Sequence, residues 1–81
     1  MKGVYMAFEE LKDILIKESE RDDARIDGVE VDEYCPFITV WYDNDEGIAY
    51  QYEREGAGWN VYSRLITPGT TWSWSDARYY E

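Results

Sequence analysis

The chain contains no histidine, and its 81 residues include one cysteine and two prolines. The absence of histidine removes the commonest general base and the commonest metal ligand. The single cysteine, Cys35, excludes an internal disulfide and leaves a zinc site without a sensible ligand set. The serines have no base to activate them. We therefore predict a protein that is not an enzyme and that binds no cofactor and no metal.

Basic side chains are also scarce. Eight Lys and Arg residues stand against 18 Asp and Glu residues, which gives a formal net charge of −10. The bases are scattered among carboxylates, so direct contact with nucleic acid or with anionic lipid would be repulsive. No apolar run approaches the ~20 residues of a membrane span. We expect a cytoplasmic protein that acts on neither nucleic acid nor membranes directly.

Large apolar side chains, in contrast, are plentiful. Hydrophobic residues make up 44% of the sequence and aromatic residues 17%, which distinguishes the chain from a disordered acidic tail. Aromatic rings bury much area each and suit a small core that has no disulfides. The length allows one core, so we predict a single domain over residues 1–81.

The N-terminal part has helical periodicity. Apolar residues recur at Val4, Phe8, Leu11 and Leu15, which predicts a helix over about residues 6–21 with this stripe facing the core. Acidic residues lie in its first turns and basic residues near its end, as the helix dipole favours.

The central part has the character of β-structure. Residues 37–42, 48–53 and 59–65 are rich in β-branched and aromatic side chains, and turn clusters at 43–47 and 55–58 separate them. Connections this short force neighbouring strands to be antiparallel. We therefore predict the α+β class: an N-terminal helix packed on a three- to four-stranded antiparallel β-meander, in one two-layer domain.

Three segments are less determined by their sequence. Residues 26–34 alternate and fit either a short edge strand or an extended acidic connection. Residues 71–74 fit a fourth strand or an extended segment. Near the C-terminus, Ser75 or Asp76 is placed to cap a short helical turn that would run through Tyr80.

Carboxylates concentrate between residues 18 and 33, where there are eight acids and two bases, and on the turn at 43–46. The turn does not fit a calcium loop, because Gly47 is fifth and Arg54 twelfth when counted from Asp43. Such an array could imitate phosphates or could be a solvated acidic loop. The predicted partner-facing residues are these carboxylates and four rings: Glu20, Asp22, Asp23, Asp27, Glu30, Asp32, Glu33, Asp43, Asp45, Glu46, Tyr50, Tyr52, Trp72 and Trp74.

These features favour a basic protein partner, in particular a nucleic-acid-binding enzyme whose positive site the carboxylates would occupy. In size, charge and aromatic content the chain resembles the small acidic proteins that phages and mobile elements use against restriction or CRISPR nucleases. Two alternatives fit the same composition: an immunity protein or antitoxin against a basic nuclease toxin, and a non-inhibitory interaction module. The oligomeric state and the exposed rings are left open by the sequence.

Overall fold

The computed structural model describes residues 7–21, 24–32 and 34–81, which form one helix and six strands. The elements follow in the order α1 (Phe8–Ser19), β1 (Ile26–Asp32), β2 (Phe37–Tyr42), β3 (Gly47–Glu55), β4 (Gly58–Thr67), β5 (Thr70–Thr71) and β6 (Arg78–Tyr80). The strands form one antiparallel sheet in the order β1-β2-β3-β4-β5, and β6 also pairs with β4. The predicted α+β architecture is confirmed, with more strands than the three or four expected.

The helix packs through the predicted stripe. Leu11 and Leu15 are fully buried, and the ring of Phe8 lies 5.3 Å from that of Tyr52. The stripe continues to Ser19, which is also buried and whose hydroxyl donates a hydrogen bond to the carbonyl oxygen of Ile16. Val4 lies outside the described residues. In the part of the chain that the structure describes, no helix reaches the length and apolar character that a bilayer crossing requires.

The meander has a face that the helix covers and an outer face that points away from it. Pairing of Ile38 with Tyr50 and of Tyr52 with Val61 places all four on the helix-covered face, where each is buried. Side chains alternate between the two faces along a strand. The intervening residues, such as Thr39, Gln51 and Tyr62, therefore lie on the outer face.

β1 is an edge strand, which was one of the two structures predicted for residues 26–34. A bulge changes the alternation of its side chains. The pairing with β2 shifts register between Ile26 and Gly28. A bulge inserts one extra residue and so moves the following side chains to the opposite faces. Val29 and Val31 consequently share the helix-covered face with Ile26, whereas an uninterrupted alternation would place Ile26 on the same face as Gly28 and Glu30.

The predicted C-terminal helical turn is wrong, because Arg78–Tyr80 form strand β6 along β4. Pairing with β4 satisfies backbone groups at that edge of the sheet, which a helical turn would leave open. The close approach depends on Gly58, because a Cβ at that position would fall 2.2 Å from the carbonyl oxygen of Tyr80. Arg78 and Tyr80 thereby come to lie beside the end of α1.

We expect Leu11→Ala to lower the free energy of unfolding by about 2–5 kcal/mol, because it leaves a cavity in a fully buried site. Urea denaturation followed by tryptophan fluorescence measures the change. Lys17→Ala, at an exposed position of the same helix, is the control and should stay within about 0.5 kcal/mol of wild type. Equal midpoints for the two variants would show that Leu11 does not pack in the core.

Candidate partner-binding surface

Three carboxylates lie on the edge strand β1: Asp27, Glu30 and Asp32, which we call the acidic edge. All three residues are exposed. Pairing of Glu30 with Thr39 and of Asp32 with Phe37 puts both carboxylates on the outer face. They are two residues apart, so their backbone positions differ by ~6.8 Å along the strand. Asp27 lies at the bulge, where the chain enters the strand.

The carboxylates of the acidic edge form no ion pair with a described residue, as is also true of exposed carboxylates elsewhere such as Asp13, Asp45 and Glu55. Asp32 accepts backbone hydrogen bonds from Tyr34 and Cys35, both at 2.9 Å, which fix the turn that follows the strand. These bonds use one carboxylate oxygen and leave its charge uncompensated.

The arginines of the described residues, by contrast, are engaged within the fold. Three form ion pairs, namely Arg21 with Glu46 at 3.2 Å, Arg25 with Asp43 at 3.6 Å and Arg78 with Glu18 at 3.1 Å. The other two lie over aromatic rings: Arg54 is 4.7 Å from the ring centroid of Trp59, and Arg64 is 4.9 Å from that of Trp74. None of these contacts involves a carboxylate of β1, although Arg25 directly precedes that strand.

The predicted acidic turn is partly neutralised by these contacts. Asp43 and Glu46 face Arg25 and Arg21, whereas Asp45 is exposed and forms no ion pair with a described residue. Asp45 also adopts a positive φ in this turn, at 62°. Aspartate tolerates that region better than most residues. The turn therefore contributes a weaker negative electrostatic potential than its composition predicts.

The remaining predicted carboxylates divide into two groups. Glu20 follows the helix and is exposed. Asp22, Asp23 and Glu33 lie outside the described residues.

The prediction that Tyr50 and Tyr52 could face a partner is wrong, because the helix covers both rings. Their exposed fractions are 5% and 3%, and both belong to the core cluster. Burial is also the main reason that the pKa of Tyr50 lies above its ordinary value. The alternation correctly placed the two rings on one face, but it did not indicate that this is the face the helix covers.

Trp72 and Trp74 are accessible but do not form a common patch. Trp74 belongs to the outer face, where its ring lies 5.9 Å from that of Phe37 and under the guanidinium of Arg64. Trp72 is 45% exposed and donates a hydrogen bond from its indole N–H to the Thr67 hydroxyl at 2.9 Å. The segment between β5 and β6 is not a regular strand, so strand alternation does not apply to it.

Two exposed rings near the acidic edge were missed by the sequence interpretation. Tyr34 is 97% exposed in the turn after β1, and Phe37 is exposed on the outer face opposite Asp32. The signal for Tyr34 was Pro36, which ends the strand and leaves the preceding residues in a turn. Phe37 heads a strand whose alternate residues Ile38, Val40 and Tyr42 are buried, so it faces outward.

A cleft of about 400 Å³ lies on the other side of the molecule, between the end of α1, strand β4 and the C-terminal segment. Trp72, Leu65 and Val61 supply apolar walls. At its rim the Glu18 carboxylate forms an ion pair with Arg78 and accepts a hydrogen bond from the Tyr80 hydroxyl. Glu18 and Arg78 therefore compensate each other in this cleft, while Arg64, which also lines it, lies over the ring of Trp74.

Within residues 7–21, 24–32 and 34–81, no group of three or more Cys, Asp or Glu side chains converges as a metal site would require. Comparisons with protein-family models, curated proteins and solved structures returned no match. The site is therefore defined by geometry and charge: a strand edge with three unpaired carboxylates, beside two exposed rings.

The Tyr80 hydroxyl gives the C-terminal strand a pH-dependent tie to the helix. Burial, with the hydrogen bond to Glu18, raises the pKa of Tyr80 to about 12, against ~10 in the unfolded chain. The protonated Tyr80 hydroxyl stabilises the folded state fully below pH ~10, and this stabilisation is lost as the pH rises towards about 12. We expect Tyr80→Phe to be less stable at pH 8 by about 1 kcal/mol and to lose less stability than wild type above pH ~10.

Urea denaturation at several pH values between 8 and 11.5, covering about the range where tyrosine titrates, measures this difference. Tyr34→Phe, at a ring that is 97% exposed, is the matched control and should follow the wild-type curve. Parallel curves for Tyr80→Phe and wild type at all pH values would contradict the assigned contact.

Proposed function

We propose that this protein inhibits a nucleic-acid-binding enzyme by occupying its positively charged binding site. The observation that carries the proposal is a strand edge whose three exposed carboxylates form no ion pair with a described residue. Arginines across the described residues are engaged by carboxylates or rings, while Asp27, Glu30 and Asp32 remain exposed on β1 without ion pairs. A fold that needed only solubility would not require three uncompensated carboxylates on one strand.

The spacing of the acidic edge suits a site that binds phosphates. Phosphates repeat every ~3.4 Å of axis along one strand of DNA. Carboxylates on one face of a β-strand repeat every ~6.8 Å. Glu30 and Asp32 can therefore face two lysines or arginines of a site that holds successive negative charges of a nucleic-acid strand.

Rings beside the carboxylates would supply the apolar part of such an interface. Tyr34 and Phe37 lie at the Asp32 end of the acidic edge, and both are exposed. Aromatic residues are common anchors in protein interfaces because they bury large areas at a small entropic cost. Their position next to a carboxylate favours a groove that combines basic and apolar groups.

The class of target that we propose is a nuclease of bacterial defence, of the restriction or CRISPR type, and the cytoplasm is then the place of action. The chain would act one-to-one and reversibly, as a competitor of nucleic acid. The carboxylates would raise the association rate by electrostatic attraction to the basic site, and the rings would lower the dissociation rate of the complex.

Competition for a labelled duplex tests this proposal. Purified restriction and RNA-guided nucleases, each bound to fluorescent DNA, are titrated with the protein while anisotropy is recorded. For the true target we expect stoichiometric displacement of the DNA, and weaker inhibitor binding at higher salt, since exposed charges are screened beyond ~8 Å at physiological ionic strength. Prior saturation with unlabelled duplex should protect the enzyme. A ternary complex of enzyme, DNA and inhibitor would contradict occupancy.

A variant pair locates the interaction. Asp27→Asn/Glu30→Gln/Asp32→Asn removes the charges of the acidic edge, and Asp13→Asn/Glu55→Gln/Asp76→Asn removes three exposed charges elsewhere. Stopped-flow mixing should show association slowed about tenfold by the first variant and much less by the second. Equal effects would mean that net charge, rather than the acidic edge, determines binding.

A further inference from the structure

Strand β1 leaves one of its two edges unoccupied by the rest of the described chain. It pairs with β2 on one side, and no other described strand pairs with it. An edge strand presents a row of unpaired N–H and C=O groups to a further strand. At the opposite edge of the sheet, β5 and β6 have only two and three residues, and Ser75 binds Ser63 between them. The long regular edge of the sheet is therefore β1.

The side chains of β1 give this edge two chemically different sides. On the helix-covered face, Val29 and Val31 are 38% and 39% exposed. On the outer face, Glu30 and Asp32 are exposed carboxylates. A strand laid along this edge would meet valines on one side and carboxylates on the other, in strict alternation.

We propose that β1 binds a partner by strand addition and that the added segment alternates basic and apolar residues. The inference rests on the proposed function, since it takes the partner to be basic, and it specifies how that partner is held. Backbone hydrogen bonds would supply affinity, and the alternate side chains would supply specificity. The basic residues would face Glu30 and Asp32, and the apolar ones Val29 and Val31.

Charge explains why the occupant is a basic partner rather than a second copy of this chain. Joining two β1 edges would bring carboxylates next to carboxylates, and like charges on adjacent strands are destabilising. Acidic residues on an edge are a known protection against self-association. The bulge between Ile26 and Gly28 restricts regular pairing to residues 28–32, which is long enough for a short extended segment.

A capped synthetic peptide of four Lys-Val repeats is the probe, used with the full-length protein. Two further peptides carry N-methyl groups on all lysine amides or on all valine amides. In a strand, the amides of alternate residues point to opposite edges. In the more stable antiparallel direction only one methylated set can therefore face β1, and that peptide should bind roughly tenfold more weakly or worse, while the other retains its affinity.

Fluorescence anisotropy gives the affinities, and amide hydrogen exchange should show protection within residues 28–32 on binding. Glu30→Gln/Asp32→Asn should weaken binding of the unmethylated peptide, whereas Glu55→Gln/Asp76→Asn, which removes the same charge from other exposed positions, should not. Equal affinities for both methylated peptides would overturn strand addition, and so would absence of binding. Either result leaves the duplex-displacement test to decide the proposed function separately.

Discussion

The packing of one amphipathic helix on one face of the sheet determines the rest of this structure. Leu11 and Leu15 are fully buried against a face that contains Ile38, Val40 and Tyr50. Burial of this apolar surface is the main stabilising term available to a chain of 81 residues without a disulfide. Because the helix covers only one face, the outer face and the β1 edge are left for polar and charged groups.

The distribution of charge follows from this arrangement. Arg78 and Tyr80 bind Glu18 at the end of the helix, and Arg21 and Arg25 bind the β2–β3 turn, so the arginines help to hold the termini of elements. Exposed ion pairs of this kind contribute little each, about 0–1 kcal/mol. Because no described arginine or lysine pairs with the carboxylates of the acidic edge, repulsion among these carboxylates opposes folding and would be relieved by a basic partner.

Local patterns in the sequence were sufficient to predict α1, β2, β3 and β4, because each is governed by its own periodicity and turns. They were not sufficient where a distant element decides the outcome. The bulge in β1 depends on its register with β2, and β6 forms because β4 offers an unpaired edge. Tyr50 and Tyr52 were misassigned as partner-facing because the alternation does not indicate which face the helix covers. Composition indicated an acidic surface, but only the structure shows which carboxylates form ion pairs with the arginines.

The central claim is that the carboxylates of the acidic edge serve binding rather than folding, and their effect on stability tests it most directly. The measurement is the free energy of unfolding of Asp27→Asn/Glu30→Gln/Asp32→Asn relative to wild type, at about 0.01 M and about 1 M salt, where the Debye length is ~30 Å and ~3 Å. Asparagine at position 32 can still accept the bonds from Tyr34 and Cys35. We expect the variant to be more stable than wild type by about 0.5 kcal/mol at low salt and equal to it at high salt. A variant less stable than wild type at both salt concentrations would show that these carboxylates hold the fold together and would contradict the account.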